Sequence, residues 1–375
     1  MEKSSSIKRY SRPFTEIRHI LLERSGQNRN PFAETKPEDI TAAFSKLNSV
    51  EPVAWARSFS EAASVYEEKA AKAEAAGDKT EARDNYLLAF ANYRVARYPA
   101  PNSPAKVEAY LRSKANWLKA APYFSHVPEV VEIPFRGRSG LSSGIKGYLY
   151  RPDVSGPHPM VVSWGGIDGY KEDRVPGPFL KENLLLLSID MPGVGEAPID
   201  GSQDTEGFFD TLFSWARSHP EVGGKPIAAM GASTGGYWAA KVAHTHGDLL
   251  RAVVNHGGPA HYAFQPDWIE KSQYGEYPFE LAETLAFAFG MKTFDDWLEH
   301  AGQFSLLDQG LLDNPSALLF CINGVDDSVF PIRDHYLLME HGSPKVGRFY
   351  PGGHMGPPEA RALAIRWLAD MLHAP

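Results

Sequence analysis

Residues 231–235, which read Gly-Ala-Ser-Thr-Gly, constrain the fold of this chain more than any other feature. An apolar run over residues 226–230 precedes them, and a helix-like stretch over residues 236–244 follows. This order predicts a β-strand, a sharp turn with Ser233 at its tip and an α-helix, which is the setting of the G-x-S-x-G nucleophile elbow. Glycine on either side lets the strand and the helix pass closely while the serine takes unfavourable backbone angles. Since glycine and serine are common in ordinary turns, the motif gains meaning only if an acid and a histidine follow.

Two adjacent aspartates are candidates for the acid. Asp326 and Asp327 follow a predicted buried strand, and a carboxylate at the C-terminal end of such a strand lies at the rim where α/β enzymes hold their sites. The usual spacing, three residues after Gly324 and four before Pro331, selects Asp327. The alternatives are a solvated turn residue for Asp326 and a loop cap for the pair.

His354 is the candidate base. Of the 13 histidines, only this one lies in a glycine-flanked loop, residues 351–356, between the last predicted strand and the last predicted helix. The order Ser233, Asp327, His354 is that of the α/β-hydrolase catalytic triad. In such a triad the histidine takes the serine proton and later returns it to the leaving group, while the aspartate fixes the imidazole tautomer.

Backbone N–H groups are the expected oxyanion donors. One is predicted to be Thr234, the residue after the nucleophile. The other is predicted to come from the loop after the third strand, residues 164–169, where glycine permits close approach of the backbone. Gly166 and Ile167 are both candidates there.

The remaining motifs favour structural interpretations. His244 and His246 are two residues apart, so a helix cannot direct both at one metal ion, and surface positions are expected. Residues 190–195 contain G-x-G without a G-x-G-x-x-G, which favours a structural loop over a nucleotide site. His256 and His261 flank a turn near the rim of the predicted sheet, so each is either a substrate contact or a hydrogen-bonded structural histidine.

The chain divides into two parts by sequence texture. Residues 1–127 are mainly helical in pattern and predict an N-terminal helical cap. Residues 128–375 predict the catalytic domain, a mostly parallel eight-stranded sheet with helices on both faces, and an aromatic-rich lid insertion at about residues 259–314. The predicted strands are residues 130–135, 145–150, 160–164, 184–190, 227–230, 252–255, 318–322 and 347–350.

Bulk properties exclude several classes of partner. The 375 residues carry a net charge of -8, which argues against a general nucleic-acid binder. No apolar segment is long enough to span a membrane and the N-terminus does not read as a signal peptide, so a cytoplasmic protein is expected. The single cysteine, Cys321, lies in an apolar run and predicts a buried, inert thiol. We expect a small-molecule substrate, no metal and no cofactor, and a homodimer remains open.

The motifs together resemble one α/β-hydrolase branch, which includes 2,6-dihydroxypseudooxynicotine hydrolase and the fungal yellowish-green pigment hydrolases. The similarity lies in the loops 165–169 and 190–195, the elbow, and the acid and histidine loops, and covers about residues 35 to 372. Residues 276–287 and 304–307 are especially similar to the fungal group. The resemblance implies a cap that covers the active site, and cleavage of a C–C bond beside a ketone in a polyketide or acyl-aromatic substrate. The carboxylate that assists the phenol in the nicotine-pathway relative has no counterpart here.

Three other functions compete with C–C hydrolysis. The same triad serves a carboxylesterase or lactonase, and it serves an acyltransferase if an alcohol or amine replaces water. A non-catalytic member of the fold is the fourth possibility. The presence of serine, aspartate and histidine together argues against it, because a pure binder does not need all three.

Overall fold

The computed structural model describes residues 12–136, 142–201 and 205–374. They form two compact units. The first takes the described residues up to Ala120 together with Glu270–Leu281, and the second takes Ala121–Ile269 together with the chain from Ala282 onward. Within the described ranges, no helix has both the length and the apolar character needed to cross a membrane.

The first unit is helical. Asp78 caps α4, because its carboxylate accepts the Glu81 N–H at 3.0 Å, which is one of the two hydrogen bonds of a capping box. Lys36 takes the N-cap position of α2, and the Thr35 hydroxyl just before it donates to the Phe32 carbonyl. The helices are α1 (Phe14–Gly26), α2 (Pro37–Ser45), α3 (Pro52–Ala75), α4 (Lys79–Arg97) and α5 (Pro104–Ala120).

An aromatic core holds these helices together. The Trp55 ring lies 4.6 Å from Phe59 and 5.9 Å from Phe44, both as centroid distances. Its indole N–H donates to the Val95 carbonyl at 2.8 Å, which satisfies a buried donor and links α3 to the end of α4. The first unit therefore has a hydrophobic core of its own.

Glu270–Leu281 packs with this helical core although it is distant in sequence. Phe279 lies 5.3 Å from Trp55 and 5.6 Å from Tyr98, and Tyr277 stacks on Tyr98 at 6.1 Å. Arg24 donates to the Glu276 carbonyl at 2.7 Å. The segment lies inside the lid insertion by sequence number and inside the helical unit by packing.

The second unit is built on one eight-stranded sheet in the order β1-β2-β4-β3-β5-β6-β7-β8. β2 pairs antiparallel with both of its neighbours, β1 and β4, and every other neighbouring pair is parallel, which confirms the predicted fold class. The strands are β1 (Glu129–Arg136), β2 (Ser142–Tyr150), β3 (Met160–Trp164), β4 (Leu185–Ile189), β5 (Ile227–Ala232), β6 (Ala252–His256), β7 (Leu318–Gly324) and β8 (Lys345–Tyr350).

Burial explains why the central strands are continuous apolar runs. Every residue of β3, β4 and β6 is buried, as expected for parallel strands covered on both faces. By contrast, β1 alternates buried and exposed residues over most of its length. The helices that lie wholly or mostly in this unit are α6 (Gly177–Lys181), α7 (Glu206–Ser218), α8 (Gly235–Thr245), α9 (Pro266–Ser272), α10 (Leu281–Ala288), α11 (Phe294–His300), α12 (Ile332–Glu340) and α13 (Pro358–His373).

Candidate active site

Ser233 occupies the tip of the turn between β5 and α8. Its φ is +54°, the left-handed region that costs a non-glycine residue about 1–3 kcal/mol. Two backbone hydrogen bonds hold it there. Its N–H donates to the His256 carbonyl at 2.8 Å, and its own carbonyl accepts the Gly236 N–H at 2.7 Å. The turn therefore has the strained geometry that the G-x-S-x-G motif predicts.

Both flanking glycines are required by close backbone contacts. A Cβ on Gly231 would collide with the carbonyl of Gly235 and with the indole of Trp164. A Cβ on Gly235 would collide with the carbonyl of Gly165. The loop after β3 thus lies directly against the elbow, and any side chain at these positions would separate the two.

The structure brings the side chains of Ser233, His354 and Asp327 together. The Ser233 hydroxyl lies 2.8 Å from Nε2 of His354, and Nδ1 of His354 lies 2.8 Å from Oδ2 of Asp327. With Nδ1–H donating to the carboxylate, Nε2 is free to accept the serine proton, which is the arrangement a general base needs. The Phe330 ring meets the imidazole edge-on at 5.6 Å.

Asp327 is buried and held as an anion by four donors. Oδ1 accepts the N–H groups of Val329 and Phe330 at 2.8 and 2.9 Å, while Oδ2 accepts from His354 and from the Asn323 amide, both at 2.8 Å. Burial alone would raise the pKa of this carboxyl. The attraction that a protonated His354 exerts and the hydrogen bonds together outweigh burial, so the pKa of Asp327 is lowered from its ordinary value.

The neighbouring Asp326 is placed differently. Its side chain is exposed, and its Oδ2 accepts the Gly352 N–H at 3.1 Å. It therefore supports the backbone of the histidine loop.

The predicted oxyanion donors flank Ser233. Thr234 is the buried N-cap of α8, where the first N–H groups have no intrahelical acceptor. On the other side, a Cβ on Gly166 would lie 2.9 Å from the Ser233 Cβ, so the backbone of Gly166 borders the hydroxyl. Ile167, the other candidate, follows it and is 3% exposed.

Arg174 lies behind this loop. Its Nη2 is 3.0 Å from the position that a Cβ would take on either Gly165 or Gly169, so the guanidinium fills the space that side chains would need. Burial lowers the pKa of Arg174, although nearby aspartates oppose the shift. The glycines of the loop thus serve close packing on both of its sides.

Asn323 is a site residue that sequence reasoning missed. Its amide nitrogen donates to Asp327, and its amide oxygen accepts the Met355 N–H at 2.9 Å. It therefore ties the acid loop to the residue that follows His354. The available signal was its position near the end of β7, four residues before Asp327.

His256, a candidate substrate contact, is buried and hydrogen-bonded within the protein. Its Nε2–H donates to the Met355 carbonyl at 2.7 Å, and burial lowers its pKa to about 4, so the ring is neutral. Met355 has φ +73° and is held at both its N–H and its carbonyl. The structural alternative for His256 therefore accounts for the contacts it makes.

His261, the other candidate, lies beside the insertion. Its Nδ1 is 2.6 Å from the Ser305 hydroxyl and 3.6 Å from a carboxylate oxygen of Asp308, and its ring is 15% exposed. Its backbone N–H donates to the buried Asp334 at 2.9 Å. Partial exposure keeps a substrate contact open as a prediction for this residue.

A buried charge network follows the oxyanion loop. Nζ of Lys171 contacts Asp190 at 2.7 Å, Glu196 at 2.9 Å and Glu172 at 3.1 Å. Asp190 also accepts the backbone N–H groups of Lys171 and Glu196, each at 2.9 Å. Burial raises the pKa of Glu172, and Lys171 opposes that shift. The loop over residues 190–195 is thus fixed by its own carboxylate, which is the predicted structural role.

The cysteine and the possible metal ligands complete the inventory of chemically reactive side chains. Cys321 is buried, and burial raises the pKa of its thiol to about 12. The thiol is therefore protonated at neutral pH and unreactive. Across the described ranges, no group of three or more His, Cys, Asp or Glu side chains is arranged to hold a metal ion.

Comparisons with known proteins agree with this architecture. A family model described as esterase FrsA-like matches residues 50–342. Hydrolase ORFZ of Pyricularia oryzae is 32% identical over 231 residues, covering 55% of this chain and 53% of that protein. Esterase FrsA of Vibrio cholerae is 25% identical over 314 residues, covering 78% of this chain and 71% of that protein. The chain thus spans about half the length of the fungal relative.

The fold is shared with a solved hydrolase structure. The crystal structure of 2,6-dihydroxy-pseudo-oxynicotine hydrolase superposes with a TM-score of 0.72 at 20% identity, covering 95% of each chain. Together with the fungal relative, this match confirms the resemblance drawn from the sequence.

Proposed function

Because the chain belongs to the FrsA-like esterase family, we propose that it is a serine hydrolase in which Ser233, His354 and Asp327 act as a catalytic triad. The observation that carries this proposal is the hydrogen-bonded series from the Ser233 hydroxyl through the imidazole to the buried carboxylate, at 2.8 Å per step. A hydroxyl needs such a base, because serine is a poor nucleophile at neutral pH.

The first half-reaction forms an acyl enzyme. Oγ of Ser233 adds to the substrate carbonyl while its proton passes to Nε2 of His354, and the carbonyl electron pair becomes an oxyanion. The N–H groups of Thr234 and of Gly166 or Ile167 stabilise that oxyanion. When the intermediate collapses, the bond to the leaving group breaks and His354 returns the proton to it. Asp327 stabilises the imidazolium throughout.

The second half-reaction releases the acid. Water adds to the acyl carbon, His354 takes its proton, and collapse expels the Ser233 oxygen, which recovers that proton. An alcohol or amine in place of water would give acyl transfer by the same steps.

We propose a ketone as the substrate carbonyl, with a C–C bond as the one that breaks. The leaving group is then a carbanion, and its expulsion is feasible only if it is delocalised, as the enolate of a β-diketone or the ring carbon of a hydroxylated aryl ketone. His354 would protonate carbon instead of oxygen. Support comes from the fungal relative and from the fold shared with 2,6-dihydroxy-pseudo-oxynicotine hydrolase.

Ester hydrolysis is the second candidate. It is favoured by the family description and by the relatives named Esterase FrsA. An alkoxide or phenolate is a better leaving group than most carbanions, so the same residues would need no special substrate. In either case the proposed partner is a small molecule.

Ser233→Ala provides the test of the triad. We expect the variant to lose turnover of p-nitrophenyl acetate on the order of 10⁶-fold, as removal of a triad serine does elsewhere. Ser214→Ala, at an exposed serine of α7, is the matched control and should retain full activity. Undiminished turnover by the Ser233 variant would remove the basis of the proposal.

A substrate comparison separates the two reactions. The wild-type enzyme is given p-nitrophenyl acetate and, separately, an aryl β-diketone, and the products are identified by mass spectrometry. Carboxylic acid and methyl ketone from the diketone support C–C cleavage. Rapid ester turnover with an unchanged diketone supports ester hydrolysis and rejects the proposal of C–C cleavage.

A further inference from the structure

Trp164 joins the two segments that carry the proposed oxyanion donors. It is the last residue of β3, it is 0% exposed, and its indole N–H donates to the Gly235 carbonyl at 2.8 Å. Gly235 is the first residue of α8, directly after Thr234. The main chain of Trp164 continues into Gly165 and Gly166. One side chain thus connects the start of the oxyanion loop to the start of the helix.

The surrounding contacts restrict the orientation of the Trp164 side chain. In the sheet, Trp164 is paired with Gly231, and a Cβ on Gly231 would lie 2.7 Å from the indole nitrogen. The Phe209 ring packs against the indole at 5.6 Å. Because the ring is enclosed and its N–H has an acceptor, this hydrogen bond is a direct side-chain link between the two segments.

We propose that Trp164 is a positioning residue that sets the geometry of the oxyanion hole. The inference rests on the proposed serine hydrolase function. An oxyanion hole works because its donors are already placed where charge develops, so a small displacement weakens binding of the transition state more than binding of the substrate. The indole N–H acts through Gly235 and the adjoining Thr234 and makes no contact with the reacting atoms.

Trp164→Phe removes the donor and keeps an aromatic ring. The expected result with p-nitrophenyl acetate is a fall in kcat of about tenfold, the scale of one lost neutral hydrogen bond, with KM unchanged. A trifluoromethyl ketone provides the second readout. Ser233 Oγ adds to its carbonyl, the proton passes to His354, and the resulting hemiketal oxyanion occupies the hole. Its affinity should fall by the same factor, while the affinity of the matching methyl ketone, which stays unreacted, should not change.

Trp164→His is the rescue variant. An imidazole carries Nε2 two bonds from the ring root, the same place as the indole nitrogen, although the residue is smaller than phenylalanine. We therefore expect Trp164→His to keep more activity and tighter trifluoromethyl ketone binding than Trp164→Phe. A simple loss of packing predicts the opposite order.

Trp238→Phe controls for loss of a buried indole. Trp238 is also fully buried in the second unit, and its indole N–H has no acceptor within the described residues. This variant should keep the wild-type ratio of trifluoromethyl ketone to methyl ketone affinity.

Several outcomes would overturn the proposal. They are equal activity of the Phe and His variants at position 164, a fall in kcat without weaker trifluoromethyl ketone binding, and failure of both variants to fold. If only the Phe variant fails to fold, wild-type ketone affinity in Trp164→His supports the proposal and lost affinity contradicts it. If Ser233→Ala is inactive and Trp164→Phe is unaffected, only the role of Trp164 is rejected. If Ser233→Ala is active, the proposed hydrolase function itself is rejected.

Discussion

At the residue scale, the two adjacent aspartates show how burial and hydrogen bonding can give two identical side chains different roles. Asp327 is 5% exposed and accepts a hydrogen bond from His354, while Asp326 is exposed and accepts one from the Gly352 backbone. Only a carboxylate at hydrogen-bond distance from Nδ1 can fix the imidazole tautomer. The roles of the two residues should therefore differ sharply.

Paired amide substitutions test this difference. Asp327→Asn should lower kcat by about 10⁴-fold, because the amide favours the wrong imidazole tautomer and cannot stabilise the imidazolium. Asp326→Asn, the matched control, should remain close to wild type. Steady-state kinetics with p-nitrophenyl acetate measures both. A larger loss of kcat in Asp326→Asn than in Asp327→Asn would mean that Asp326, and not Asp327, is the acid of the triad.

The sequence predicted which residues would meet, but not what holds them. The spacing around Asp327 and the glycine-flanked loop of His354 both reflect local chain geometry, which a sequence displays directly. The hydrogen bond from Met355 to Asn323, which also holds Asp327, joins residues 32 positions apart, and local sequence patterns do not reveal it. That the triad is catalytic stays a prediction until it is measured.

At the element scale, the elbow depends on glycines where main chains nearly touch. Gly235→Ala would place a methyl group against the Gly165 carbonyl and the Trp164 ring. We expect this overpacking to destabilise the protein by about 1–3 kcal/mol and to lower activity, since Thr234 is adjacent. Guanidinium unfolding and ester turnover measure the two effects.

Gly207→Ala is the matched control on a neighbouring helix. Gly207 is the second residue of α7, and a Cβ there would meet nothing within 4 Å. This variant should be neutral or more stable by up to about 1 kcal/mol, since alanine favours helices. Equal stability of the two variants would contradict the close contact at Gly235.

Sequence patterns predicted the secondary-structure elements better than they predicted the tertiary contacts and the burial of individual residues. All eight predicted strands are present, because buried parallel strands are continuous apolar runs. His244 and His246 were expected on a surface but are 6% and 4% exposed. His244 donates to the Asn314 carbonyl at 2.9 Å, a partner 70 residues away. Helical spacing alone contains no information about such a partner.

At the scale of the whole molecule, packing regroups segments that are distant along the chain. Glu270–Leu281 begins within the last turn of α9, yet its aromatic side chains pack on Trp55 and Tyr98 in the helical unit. The sequence shows that this segment carries aromatic residues among charged and polar ones. It does not give the surface on which the segment packs, because that choice depends on contacts about 180 to 220 positions away.

Three buried neutral histidines make the stability of the second unit depend on pH. Burial lowers the pKa of His244, His256 and His335 to about 4, from an ordinary value near 6.5. Between these values the unfolded chain binds protons that the folded protein does not, so the free energy of unfolding falls as the pH drops from about 6.5 to 4. Each such histidine contributes a loss of about 2 kcal/mol between pH 7 and pH 5.

His335→Phe isolates one of these contributions. His335 is 0% exposed, packs against Phe349 and has no hydrogen-bond partner for either ring nitrogen among the described residues. Guanidinium unfolding of wild type and variant at pH 7, 6 and 5 should give a difference that shifts by about 2 kcal/mol in favour of the variant as the pH falls. A pH-independent difference between wild type and His335→Phe would mean that His335 is already protonated in the folded protein at pH 5, or that it does not gain a proton on unfolding.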